Sequence, residues 1–300
     1  VNVSNWNTSN VTTMANMFEN AYALQTVNVS NWDTSNVTTM ANMFRNCYEL
    51  NNLNVRNWNT SSVTDMTAMF DSCKNLDQLR VESWNTSSVT IMSSMFARCG
   101  KLNYLDVSNW DVSNITKMGG MFYECSSLPV IDTQHWYIKG ASVYQAFAGC
   151  TSLQSANIQH WEVGGNELEG LFYKCSSLKF VNAANVVSNS VHSLNHMFNG
   201  CTSLYTVNID NWDTSGVQHM ISMFRDCSSL QTLDVSSWNT MGVEDMSCMF
   251  YNCTQYEDYN TLNDWKFRNT VNNSFKQMFY GCQNHPHFKY MAGTWLEDGT

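Results

Sequence analysis

Tryptophan returns at a fixed interval along this 300-residue chain, at 6, 32, 58, 84, 110 and 136, then at 161, 212, 238 and 265. Phenylalanine keeps step at 18, 44, 70, 96, 122, 147, 172, 198, 224, 250 and 279. Cysteine closes the units at 47, 73, 99, 125, 150, 175, 201, 227, 253 and 282. The interval is 26 residues, falling to 25 in the middle and lengthening towards the C-terminus. A register held by three residue types at once is that of a repeat array of about eleven copies, in which stacked neighbours supply the core that no copy can build alone. The array is expected over 1–282 as a single solenoid, irregular in 129–190 and 254–282, with 283–300 an irregular C-terminal segment or cap. The opening Val1-Asn2-Val3-Ser4 is mid-repeat and has no initiator Met, so it reads as a mature fragment or a region of a longer protein.

One unit, Cys47 to Cys73, shows two periods. Leu53 and Val55 alternate with polar residues, the two-residue period of a strand with one buried face. Val63, Met66, Met69, Phe70 and Cys73 fall on one stripe of a helix. Asn59-Thr60-Ser61 lies between them, with Ser61 as the expected helix cap. The predicted unit is therefore strand, turn, helix of two to three turns, and return loop. Strands pair at roughly 4.8 Å, whereas helices pack at about 8–10 Å, so the helix side must fan wider. An α/β solenoid follows, right-handed, with a concave parallel sheet on the order of 50 Å long and convex helices.

The run Leu-x-x-Leu-x-Val-Ser-x-Trp-Asp/Asn-Thr-Ser-x-Val-Thr-x-Met-x-x-Met-Phe-x-x-Cys is plain at 102–125 and 230–253. It resembles the repeat of the BspA-like leucine-rich-repeat surface proteins over essentially the whole chain. That resemblance implies a leucine-rich-repeat-like fold, exposure at a cell surface or as a secreted protein, and adhesion to host or matrix components. It carries no catalytic residues. The sequence departs from the pattern at Gly164-Gly165, at Val186 in place of Trp, over 254–279 and after 282. Val186 is expected to leave the tryptophan ladder locally thin.

Composition narrows the partners. A net charge of −10 opposes nucleic acid, which needs clustered Lys and Arg, and opposes an anionic membrane leaflet. No run approaches 18 apolar residues, so no membrane insertion is expected. Asn-x-Ser/Thr sequons at Asn7, Asn36, Asn59, Asn85 and Asn114 arise from the Asn- and Ser-rich turn and gain meaning only in a eukaryotic source. Free cysteine is unusual in an exported protein, so a reducing compartment or a virion surface stays open as an alternative location.

The recurrent residues read as core. Cysteines on helices about 8–10 Å apart lie beyond the roughly 7 Å reach of a disulfide, so the ladder is expected to be reduced thiol. Cys248, outside the ladder, falls at an outward helix position, either as an exposed free thiol or buried against a neighbour. The paired methionines (Met40/Met43, Met66/Met69, Met92/Met95) read as packing rather than copper ligands. For metal, His192 and His196 on one helix face, His135 with His160, and Cys282 with His285 and His287 have conceivable spacings. Asp106 and Asp132 in adjacent repeats could hold calcium, although an amide ladder with occasional Asp explains the row as well. No phosphate loop, HExxH or nucleophile elbow is present. Neither enzyme activity nor a cofactor is expected.

The outward strand positions vary between copies while the inward ones barely change. They define the expected ligand face: Arg56, Arg80, Tyr104, Asp106, Asp132, Phe180, Asp210 and Asp234, with Tyr104 and Phe180 as aromatic anchors. The expected function is a non-catalytic adhesin or receptor-binding module presenting this face to a host or matrix protein or a glycan. The alternative is a structural spacer or filament subunit, self-associating through exposed terminal repeats.

Overall fold

The computed structural model describes residues 3–262, 265–266 and 275–282. The chain divides into two compact units, Val1–Leu153 and Gln154–Thr300. In both, successive copies stack as coils and bury the recurrent residues.

The strand half of the repeat forms as the alternation requires, though as very short strands. In the first unit β1 (Gln78–Leu79) pairs in parallel with β2 (Tyr104–Leu105), placing Gln78 opposite Tyr104 and Leu79 opposite Leu105. A third strand there is β3 (Ile138–Lys139). The second unit holds β4 (Ser155–Asn157), β5 (Trp161–Glu162), β6 (Phe180–Asn182) and β7 (Thr206–Asn208). Strands β4, β6 and β7 form one parallel sheet in that order. Leu53, Val55, Leu79, Val81, Val181 and Val207 are buried, and Asn54, Gln78, Arg80 and Phe180 face outward.

The helix half does not form, and the α part of the α/β expectation is corrected. Among the described residues there is no α-helix, only the 3-10 turns Thr214–Gly216 and Tyr259–Leu262. The Met-x-x-Met-Phe-x-x-Cys segment is a run of tight turns. Met43, Arg45 and Cys47 donate their amides to Met40, Asn42 and Phe44 at 3.2, 3.1 and 3.0 Å. The alternate amides of Asn42, Phe44 and Asn46 reach the next coil, each 2.8 Å from the carbonyl of Thr67, Met69 or Asp71. Every second amide thus closes a turn, and the ones between bind the neighbouring copy. A helix would spend all of these donors within its own segment.

Two positions per unit adopt left-handed backbone, as Asn42 (φ 57°) and Asn46 (φ 62°) do. Asn and Gly tolerate this region best, and Gly120, Gly149, Gly170, Gly200 and Gly281 occupy equivalent places. Just before each turn run, parallel bridges join successive coils: Thr13 to Thr39, Thr39 to Asp65, Asp65 to Ile91, and, in the second unit, Ser193 to His219 and His219 to Asp245. Both sides of the coil are therefore held at strand-like spacing. The ring ladders agree, with Trp32 and Trp58 stacked at 6.4 Å and Phe44 and Phe70 at 5.7 Å. Helices at 8–10 Å cannot share that pitch.

Three side-chain bonds stitch each coil to a neighbour. Trp58 Nε1 donates to the Val29 carbonyl at 3.1 Å, Thr60 Oγ1 to the Asn85 carbonyl at 2.8 Å, and Cys73 Sγ to the Phe44 carbonyl at 3.3 Å. Ser61 caps no helix; its amide and hydroxyl both donate to Asn59 Oδ1, at 3.1 and 2.7 Å, closing a turn on the asparagine. The separation assumed for the cysteines goes with the helices, yet all eleven are free and ten are buried. Cys248 is half-buried at a left-handed position (φ 57°), rather than outward on a helix. Val186 is itself fully buried where Trp is missing.

Candidate recognition surface

The predicted ligand residues fall in both units. In the first, Arg56, Arg80 and Tyr104 are exposed, and Asp106 and Asp132 are half-buried. Arg80 Cζ stands 4.3 Å over the Tyr104 ring, so a cation covers one aromatic face. Arg80 occupies the strand position where other copies carry Asn or Asp, which the sequence alone does not connect to Tyr104.

The Asn and Asp of that row have a local duty. Asp106 Oδ1 accepts the Ser108 amide at 3.0 Å and its hydroxyl at 2.7 Å, bonds that hold the carboxyl below its usual range. Asp132 Oδ1 accepts the Gln134 amide at 3.1 Å, and Asn28 Oδ1 takes both Ser30 donors in the same way. These side chains build the turn after the strand. Part of the row also forms an amide ladder, since Asn208 Nδ2 donates to Asn182 Oδ1 at 3.1 Å and Asn182 Nδ2 to Gln159 Oε1 at 2.9 Å.

The metal candidates do not assemble. Among the described residues no group of three or more His, Cys, Asp or Glu is placed to hold an ion. Without a helix, His192 and His196 share no helical face; His196 Nδ1 lies 3.1 Å from Asn199 Nδ2. His135 and His160 each contact the preceding glutamine, Gln134 or Gln159, within their own units. The site suggested by Cys282, His285 and His287 lies outside the described residues, apart from Cys282.

In the second unit Phe180 lies between Ser155 of β4 and Thr206 of β7, and is 41% exposed. Tyr205, which the alternation in the sequence does not single out, is 50% exposed. Asp210 and Asp234 line one cavity of about 380 Å³ with Asn208, Asn211, Ser236 and Asp258. Asp258 comes from the lengthened unit after 253, where the repeat register offers no guide to its position.

Coils bonded through backbone and stacked aromatics, with a variable outward strand row, define a repeat protein built around a side-chain-bearing surface. The chain belongs to the family described as "Mycoplasma protein of unknown function, DUF285", which matches residues 1–57, 49–161 and 166–291. No curated protein matches the chain. Among solved structures it is similar to a leucine-rich repeat protein from Bacteroides ovatus, at 20% identity and TM-score 0.49, over 97% of this chain and 81% of that one. A leucine-rich repeat protein from Eubacterium ventriosum (16%, TM-score 0.42, 87% and 84%) and a leucine rich cell surface protein from Faecalibacterium prausnitzii (19%, TM-score 0.39, 85% and 76%) are further similarities. None of these scores reaches 0.5. Among the described residues no helix is long and apolar enough to cross a membrane.

Proposed function

We propose that the chain is a non-catalytic recognition module, an adhesin or receptor-binding region displayed at a cell surface or secreted, whose strand face contacts a protein or a glycan. One observation carries this reading. Paired strand positions that point inward stay apolar, Leu79 against Leu105 and Ala156 against Val181 and Val207, whereas the adjacent outward positions change freely, Gln78 against Tyr104 and Ser155 against Phe180 and Thr206. A scaffold that holds its interior and varies its exposed row suits recognition, and exposed aromatics are enriched among interface anchors.

The ladder thiols suit a structural role better than a nucleophilic one. Burial pushes Cys47 up to about 11 and Cys99 to about 12, far from the thiolate that nucleophilic chemistry needs. Binding to an array of glycans and matrix proteins, repeated with Tyr104→Ala and Phe180→Ala, tests the assignment. Loss of a bound partner in either variant is the expected result. Equal binding by wild type and both variants removes the strand face from consideration.

A further inference from the structure

We infer that the cavity beside β7 receives the guanidinium or ammonium group of a basic side chain on a protein partner. The inference rests on the recognition reading and narrows it to one partner chemistry at one place.

The cavity lies between β7 and the copy that follows it. Sheet pairing proceeds from β4 to β6 to β7 and stops there, although the next copy, at 232–235, has the same sequence pattern. Ile209, just after β7, is half-buried, whereas its counterparts Val29, Val55, Val81, Val107 and Val235 are buried.

A second sign is an indole without a partner. Trp58, Trp84 and Trp110 donate Nε1–H to the carbonyl 29 residues back, at 3.1, 3.1 and 3.2 Å. For Trp238 that carbonyl belongs to Ile209, which lines the cavity, and the bond is absent. Trp238 is nonetheless 4% exposed and stacks parallel to Trp212 and Trp265, at 5.8 and 6.1 Å. Trp238 does not line the cavity; its unpaired N–H is buried behind Ile209, so the missing bond marks a wall segment that does not hold the place its counterparts do.

The lining sets the charge of the occupant. Asp210, Asp234 and Asp258 all line the cavity, and none of them has a cationic partner among the described residues. Burial first, and then the charge of Asp234, hold the Asp258 carboxyl above its usual range, against a backbone hydrogen bond at Leu233. Asn208, Asn211 and Ser236 add neutral acceptors around the acids. A planar guanidinium, with five donors, matches several oxygen acceptors at once. A neutral sugar would leave the carboxylates uncompensated. A volume of this size holds one long side chain with its flanking peptide groups.

The test uses the 300-residue chain and the tripeptide acetyl-Gly-Arg-Gly-amide, followed through the Trp238 indole N–H resonance and by calorimetry. The same peptide with citrulline in place of arginine, calcium chloride, and methyl glucoside are the competing probes. Expected is binding of the arginine peptide with a shift of the Trp238 resonance, no binding of the citrulline peptide, and weakening of about tenfold by Asp210→Asn or Asp234→Asn. Asp234→Asn keeps the oxygen that closes the turn on Ser236, as Asn28 does on Ser30, so the fold is retained. Absence of arginine-peptide binding, equal binding of the citrulline peptide, or indifference to Asp210→Asn overturns the inference. Binding of calcium or the glucoside at this site, in preference to the peptide, overturns it too. Any of these outcomes leaves the strand-face array test undecided by itself, so the two readings fail separately.

Discussion

The Cys73 thiol donates to the Phe44 carbonyl one coil earlier, at 3.3 Å. The relationship recurs from Cys99 to Phe70 at 3.1 Å, Cys125 to Phe96 at 3.0 Å and Cys227 to Phe198 at 3.1 Å. Each of these sulfurs is fully buried, so the thiolate form is disfavoured chiefly by lost hydration. Two measurable consequences follow from that burial.

Native alkylation should modify Cys248 alone, because it is half-buried and the other ten cysteines are buried. Denaturant should release all eleven. The pH dependence has a definite sign. The ladder thiols titrate above their ordinary value, Cys47 at about 11 and Cys99 at about 12, so the unfolded chain loses these protons first. Stability from this source is complete below about pH 9 and declines as pH rises towards 11–12. Urea midpoints at pH 8 and pH 10 check it, and Cys99→Ala should flatten the decline. Rapid native labelling of several thiols would show that the ladder is not buried.

Asp71 supplies a different kind of tie. Its carboxylate is 2.6 Å from Arg98 Nη2 and 3.5 Å from Arg45 Nε, which joins three successive coils. Arg98 Nε also donates to Ser72 Oγ at 2.9 Å. The acid is buried and both arginines reach solvent, so screening reduces the pairs well below a fully buried bridge. Asp71→Ala should cost about 1–3 kcal/mol, since the Arg98 guanidinium loses its acceptor and Arg45 loses an ion partner. A double-mutant cycle with Arg98→Ala should return a coupling of roughly 1 kcal/mol. Strict additivity would reduce the pair to a contact without energetic consequence.

The period in the sequence exposed the stacking and its interior. Val55, Trp58, Met66, Phe70 and Cys73 are all buried as the register implies. What it hid was the conformation between Met66 and Cys73. Apolar residues at steps of three and four suit one face of a helix, and they suit consecutive turns just as well. Ala68 (φ 49°) and Ser72 (φ 64°) in that copy give no warning, and the discriminating signal lay at the equivalent places of other copies, where Asn42, Asn46, Gly120 and Gly149 are weak helix formers and good left-handed ones. The candidate face was legible only residue by residue. Alternation exposed Tyr104 and Phe180, but the cover of Arg80 over Tyr104 depends on coil spacing. Asp258 escaped notice because its unit is out of register.

Gly120 offers the sharpest test of turn against helix. It adopts φ 62°, and a Cβ built there would meet Ser94 Oγ at 3.4 Å and Tyr123 Cβ at 3.7 Å, both ordinary contacts. Space therefore does not oppose an alanine, and the effect of substitution is conformational. In a left-handed turn, Gly120→Ala places a Cβ against the following carbonyl and should destabilise by roughly 1–2 kcal/mol. In a helix the same change would stabilise by about 1 kcal/mol, because alanine is the better helix former. The two architectures thus predict opposite signs for one methyl group. Asn42→Gly, at the equivalent place in another copy, should be nearly neutral, since Asn already tolerates this region. Urea unfolding of both variants reads the difference directly. A raised midpoint for Gly120→Ala would restore the helix and undo the coil-to-coil bonding that the turns make possible.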